Sequence, residues 1–282
     1  MTPTATPETH LLPCLVGHAF RRVALRCHGA RSNPPLVCVH GLTRNARDFD
    51  ALARRLADRL FVVAVDLPGR GESEWLPDPA QYGVETYVAV LAQVFAWLGR
   101  NVAFLGTSLG GICAMSLAAM PGQPITRLVL NDIGPFVPET AMRRIADYVT
   151  ASPPLFADTA SLRLYLRRVH APFGRLSEAE WQQMAENSAR PLPDGSVALH
   201  YDPAIAVPFA NTPPAALVMW PWWEALDLPV LALRGANSDV LELATAARMA
   251  GKATLLSVPE AGHAPALLDA MTQSAIRRFL LA

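Results

Sequence analysis

Ser108 stands in Gly106-Thr107-Ser108-Leu109-Gly110, a G-x-S-x-G pentapeptide with a further glycine, Gly111, behind it. A serine hydroxyl is a poor nucleophile at neutral pH and needs an adjacent base. Small residues on both sides suit a sharp strand-to-helix turn that lifts the hydroxyl out of a cramped backbone. The apolar run 102–105 before it reads as a strand and 109–119 after it as a helix. That context gives the pentapeptide its meaning; alone it would be a common chance match.

The candidate base is His263, in Glu260-Ala261-Gly262-His263-Ala264-Pro265. It follows the strand-like run 253–258, which puts it at the carboxyl edge of a parallel sheet, where Ser108 also emerges. His10, His18, His28, His170 and His200 have no such placement and read as surface or packing residues. His40 ends an early strand beside Gly41 and reads as structural. A histidine base needs a carboxylate to fix its tautomer and stabilise the imidazolium. Two acids follow strand runs between Ser108 and His263. Asp239 lies after 229–233 in R-G-A-N-S-D, and Asp132 after 127–130 in N-D-I-G-P. Either can reach the histidine. Asp239 is the preferred candidate, because its strand should neighbour the one leading to His263. Asp132 opens onto Ile133-Gly134-Pro135, where a carboxylate could instead hold the chain's exit from the sheet. Asp239 has a competing use of its own, capping a helix that begins near Glu242. Backbone N–H groups aimed at a developing oxyanion complete such a site. Leu109, directly after the serine, and Leu42, in the loop that follows the early strand, are the candidates.

These groups require a sheet of parallel strands separated by helices. Residues 36–39 and 61–65 are continuous apolar runs of strand length, as expected of strands buried on both faces. Residues 46–60 show helical spacing, with Phe49, Leu52, Ala53 and Leu56 on one face, and 82–98 reads as a long amphipathic helix. The pattern returns with a strand at 229–233, a helix at 242–250, a strand at 253–258 and a helix at 266–281. Residues 14–30 can supply two antiparallel edge strands. Residues 1–12, rich in Thr and Pro, read as a loose arm. Between Pro135 and Leu226 there are helical patterns at 140–150, 159–170 and 177–190 but no core strand. Ser177 with Glu180 makes a capping box. The expected division is a sheet core over 1–134 and 227–282, interrupted by a helical cap insert over 135–226.

The 282 residues carry 24 Lys plus Arg against 24 Asp plus Glu, with 51% hydrophobic residues. Such a balance gives no broad attraction to nucleic acid or an anionic membrane, and no run approaches a membrane span. Cys14, Cys27, Cys38 and Cys113 lack C-x-x-C spacing, and the amino terminus does not read as a signal peptide. Reduced thiols and a cytoplasmic location are therefore expected. No His or Cys cluster has metal-ligand spacing, so neither metal nor other cofactor is expected.

Four segments, V-C-V-H-G-L-T-R-N-A-R-D-F, V-V-A-V-D-L-P-G-R-G-E-S, F-L-G-T-S-L-G-G and V-P-E-A-G-H-A-P, together resemble the α/β-hydrolase superfamily. Within it the chain looks like the capped group of meta-cleavage C–C hydrolases, enol-lactonases and small carboxylesterases. The resemblance covers the core and leaves the insert undetermined. It implies an eight-stranded, mostly parallel sheet with helices on both faces and a helical cap after strand six. It also implies cleavage of an ester, lactone, amide or activated C–C bond of a small-molecule substrate by Ser108, His263 and an Asp. Some relatives use an acid at the position of Asp132 rather than Asp239, and this chain has both. An aspartate nucleophile would point to dehalogenases or epoxide hydrolases; Ser108 disfavours them. The same fold also hosts lyases, acyltransferases and cofactor-free dioxygenases, the alternative reading. The Asp66–Gly71 glycines read as a family-typical turn with no nucleotide implied. In the insert, Tyr148, Phe156, Tyr165, Phe173, Trp181 and Tyr201 could line a pocket. Arg143, Arg144, Arg167 and Arg168 could meet a carboxylate-bearing substrate. The oligomeric state is not legible in the sequence.

Overall fold

The computed structural model describes residues 6–151 and 153–282. Its centre is an eight-stranded sheet in the order β1-β2-β4-β3-β5-β6-β11-β12. The strands are β1 (Glu8–Val16), β2 (Ala19–His28), β3 (Pro35–Val39), β4 (Phe61–Val65), β5 (Val102–Thr107), β6 (Ile125–Asn131), β11 (Val230–Gly235) and β12 (Ala253–Val258). β1 and β2 form an antiparallel edge hairpin, β2 meets β4 antiparallel, and every other pairing is parallel. β3 and β4 are buried at every position, which is why their sequences are unbroken apolar runs. β1 alternates exposed and buried residues towards its end, as an edge strand does.

The loose arm expected over residues 1–12 is ordered strand from Glu8, because its backbone pairs residue by residue with β2. Residues 1–5 of that arm lie outside the described residues. The single helix expected over 46–60 is a 3-10 turn, Ala46–Phe49, followed by α1 (Asp50–Leu56) and a turn into β4. Its expected apolar face is buried nonetheless.

Helices cover both faces. α2 (Val84–Leu98), α3 (Leu109–Ala118) and α9 (Leu243–Met249) pack on one, and α1 and α10 (Ala270–Leu281) on the other. No helix among the described residues is long and apolar enough to cross a membrane. The four cysteines are unpaired, and burial pushes the Cys14 thiol up to about 11 and Cys113 up to about 12.

Between β6 and β11 the chain makes a separate helical layer. β7 (Phe136–Val137) pairs antiparallel with β10 (Leu217–Val218) and gathers the two ends of the insert. Between them run α4 (Glu139–Thr150), α5 (Thr159–Val169), α6 (Glu178–Ser188), a hairpin of β8 (Ala189–Pro191) with β9 (Val197–Leu199), and α7 (Val207–Ala210). The expected capping box opens α6. α8 (Trp220–Ala225) follows, and its exit is held by Lys252, whose ammonium donates to the carbonyls of Trp223, Glu224 and Leu226 at 2.7–3.2 Å. Lys252 is the chain's single lysine.

Candidate active site

Ser108 sits between β5 and α3 with φ 51° and ψ −112°, a backbone state that L residues rarely adopt. The flanking glycines make the turn possible by close approach. A Cβ on Gly106 would fall 2.4 Å from the Gly110 carbonyl, and one on Gly110 would fall 2.1 Å from the Val39 carbonyl oxygen. The elbow therefore lies against the end of β3, where the loop carrying Leu42 begins.

The serine Oγ is 2.8 Å from His263 Nε2, and His263 Nδ1 is 2.8 Å from Asp132 Oδ2. Asp132 is fully buried and its carboxylate accepts three hydrogen bonds. Oδ1 accepts from the Gly235 N–H at 2.7 Å, and Oδ2 accepts from the Ser238 hydroxyl at 2.6 Å as well as from His263. A buried carboxylate so held can keep one imidazole tautomer, with Nε2 free to take a proton from the serine.

Asp239, the preferred acid of the sequence reading, is elsewhere. It binds Arg144 through both oxygens at 2.6 and 2.9 Å, with its side chain half exposed. The physical reason is depth. Asp132 follows the last residue of β6, and its N–H still pairs with the Leu233 carbonyl of β11 at 2.9 Å. Asp239 lies four residues beyond the end of β11, on a turn that carries it out to α4. The structure thus brings Asp132, not Asp239, to His263.

The loop after β3 is fastened from several directions. His40 Nε2 accepts from the Leu67 N–H at 3.0 Å, so Nδ1 carries the proton and donates to the Gly41 carbonyl at 2.7 Å. Burial, aided by the charges of Arg70 and Arg44, drives His40 down to about 3, so it stays neutral. In a trans peptide the Leu42 N–H points opposite to that tethered carbonyl. Arg70 Nε donates to the Leu42 carbonyl at 2.9 Å, with Nη1 on Pro68 O and the Tyr87 hydroxyl. Among the described residues, neither the Leu42 nor the Leu109 N–H is used by another hydrogen bond.

Arg70 thus supports the Leu42 loop, although in the sequence it stands only in a glycine turn. Its one sequence signal is a charged residue between two glycines, and its side chain is fully buried. Asp66, in the same turn, accepts from the Ala46 and Glu72 amides, and burial raises it to about 6.

The insert reaches this loop. The Tyr148 hydroxyl is 3.0 Å from Thr43 Oγ1, Arg44 donates to Ser188 Oγ at 2.8 Å, and Asn45 Nδ2 donates to the Asn187 carbonyl at 2.7 Å. Phe156 and Tyr165 pack with ring centres 5.2 Å apart, and Tyr201 is buried. Phe173 stacks on His170 and lines a cleft between α6 and α1, while Trp181 packs in the core. Of the arginines proposed for a substrate carboxylate, Arg143 pairs with Glu139, Arg144 with Asp239 and Arg167 with Glu178, while Arg168 lies over the Tyr165 ring.

The fold and this site define the class. Residues 36–274 match the alpha/beta hydrolase family, and the chain belongs to it. It is a hydrolase of that family. It is 38% identical over 279 residues to the 3-hydroxybutyrate-oligomer hydrolase of Cupriavidus necator, covering 94% of this chain and 95% of that one. It is 28% identical over 252 residues to the 2-(acetamidomethylene)succinate hydrolase of Mesorhizobium japonicum, covering 86% of each. Among solved structures, an alpha/beta hydrolase from Novosphingobium aromaticivorans superposes with a TM-score of 0.89 at 35% identity, over 98% of this chain and 99% of that one. A putative hydrolase from Rickettsia typhi superposes with a TM-score of 0.91 at 28% identity over the same shares.

Proposed function

We propose that the protein is a serine esterase that cleaves short esters of hydroxy acids through Ser108, His263 and Asp132. The observation that carries this reading is the unbroken chain of hydrogen bonds from Ser108 Oγ through His263 to the buried Asp132. The serine oxygen attacks the ester carbonyl while His263 takes its proton. The Leu42 and Leu109 N–H groups stabilise the oxyanion, in an orientation that His40 and Arg70 hold before substrate arrives. Collapse of the tetrahedral intermediate expels the alcohol, protonated by His263, and water then releases the acid by the same steps.

The substrate class follows from the relative that shares 38% identity across nearly the whole of both chains and hydrolyses 3-hydroxybutyrate oligomers. Residues 1–134 and 227–282 act as the catalytic core, and residues 135–226 as a cap over it. The contacts of Tyr148, Ser188 and Asn187 with the loop of Leu42 support that role for the insert.

The wild type should hydrolyse p-nitrophenyl butyrate and linear hydroxybutyrate dimers and trimers, followed by absorbance and by chromatography of the acids. Ser108→Ala should lower kcat by about 10⁶-fold with the melting curve unchanged. Full activity in a folded Ser108→Ala variant would refute the mechanism.

A further inference from the structure

Ser108 and His263 are 155 residues apart in the chain, and their 2.8 Å contact depends on how the histidine loop is set against the elbow. The Asp132 carboxylate orients the imidazole ring but leaves the backbone of that loop to other groups. Among the described residues the loop is tied on two sides. On the insert side, the Gly262 N–H donates to the Pro172 carbonyl at 2.6 Å and the Ala266 N–H to the Phe173 carbonyl at 3.1 Å. On the core side, the Asn237 N–H donates to the Ala261 carbonyl at 2.8 Å, ahead of the histidine. Behind the histidine, Asn131 Nδ2 donates to the Pro265 carbonyl at 2.9 Å.

Asn131 differs from the other ties in what else it holds. It is the last residue of β6, directly before Asp132. Its carbonyl accepts from the Ser108 N–H at 3.1 Å, and its Nδ2 also donates to Thr107 Oγ1 at 3.2 Å. One residue is thus bonded to the elbow, to the chain beside the acid and to the loop of the base. The orientation of its amide is fixed by chemistry, since a carbonyl such as that of Pro265 can only accept. The side chain is buried, and its Oδ1 has no donor among the described residues. Burying a polar atom without a partner costs stability, which a leucine of similar size would avoid. The amide is explained by the two bonds that its nitrogen makes.

We propose that Asn131 is a positioning residue whose amide sets the His263 loop against the serine elbow, and so fixes the distance between base and nucleophile. The proposal rests on the serine-esterase reading above. Asn131 touches no reacting atom and acts through His263. Asp132 keeps the tautomer and the backbone amides meet the oxyanion, while Asn131 holds the base within reach of the serine proton. Its loss should therefore show in kcat, where that proton moves, and not in the binding of the ester. A displacement of about 1 Å between reacting groups costs on the order of 10²-fold in rate.

The test uses p-nitrophenyl butyrate and two substitutions. Asn131→Leu should lower kcat by about 100-fold with KM within about threefold. Thr107→Val keeps the bond to Pro265 but frees the amide from the elbow, and should lower kcat by about tenfold with KM again held. Each substitution is then combined with His263→Ala, where the base is gone and the remaining rate comes from the oxyanion amides and binding. In that background each should cost less than about twofold, a dependence on His263 that a general loosening of the fold would not produce. Wild-type kcat in both single variants, or losses of equal size with and without His263, would overturn the role of Asn131 and leave the esterase reading intact. Should Asn131→Leu fail to fold, Thr107→Val and its combination with His263→Ala decide by the same criterion. A His263→Ala variant as active as the wild type would overturn the esterase reading and this proposal with it.

Discussion

Asp132 and Asp239 are near-equivalent in the sequence and opposite in the structure. Each follows a parallel strand, β6 or β11, and those strands are neighbours in the sheet. Asp132 stops at the strand end, enters a left-handed backbone state and is sealed in by the Gly235 amide, Ser238 and His263. Asp239 travels four residues further and becomes one half of a half-exposed ion pair. A strand end supplies direction, but burial and fixed donors hold a carboxylate in place. Inside, three donors hold the Asp132 carboxylate; outside, Asp239 is half exposed and its charge is shared with Arg144.

Substitutions can break that comparison. Asp132→Asn keeps the shape but favours the wrong imidazole tautomer, and kcat should fall by about 10⁴-fold in steady-state assays with p-nitrophenyl butyrate. Should Asp239→Asn be the nearly dead variant instead, the inner site is not the working one. Ser238→Ala removes one donor from the inner carboxylate and should cost about tenfold in kcat, with KM unchanged.

Acid should sharpen the same contrast through stability. His40 sits far below its ordinary 6.5, at about 3, and burial also lowers His170 and His200. Below pH 6.5 the unfolded chain binds protons that these folded imidazoles refuse, so their contribution is full above that pH and lost as pH falls towards 3. Asp66 works the other way between 3.8 and about 6, because its raised folded value favours the protonated native state. Three histidines outweigh one aspartate, and the melting temperature should drop by roughly 5–10 °C between pH 7 and pH 5. A flat melting profile over that range would mean the buried imidazoles are not held neutral. The smallest effect belongs to the outer pair: Asp239→Asn should leave kcat within about twofold and stability within about 1 kcal/mol, since exposed ion pairs contribute little.

The parts of the site legible in the sequence are those encoded locally. The elbow around Ser108 shows because its glycines are required within five residues by contacts with the same turn and with β3. His263 shows because it lies in the short Gly- and Pro-flanked loop after the last strand of an alternating α/β pattern. The choice of acid did not show, since it depends on the register of β6 against β11 and on how far the turn after Gly235 swings outward. His40 and Arg70 were hidden for a related reason. Their partners, Leu67 N–H and Leu42 C=O, are backbone groups that carry no side-chain signature. The helices of the insert follow from periodicity, whereas the ribbon of β7 with β10 has two residues per strand, too few for any period to register.

Lys252 gives the protein a chemical address. Every other basic side chain in the sequence is arginine or histidine, so a reagent selective for ε-amines has one internal target. That amine clasps the last turn of the insert at the residue that leads into β12, the strand whose far end delivers His263. Acylating it removes the charge and the donors together. Coupling through amines would therefore act on the joint between insert and sheet, while chemistry directed at the exposed carboxylates would leave that joint intact.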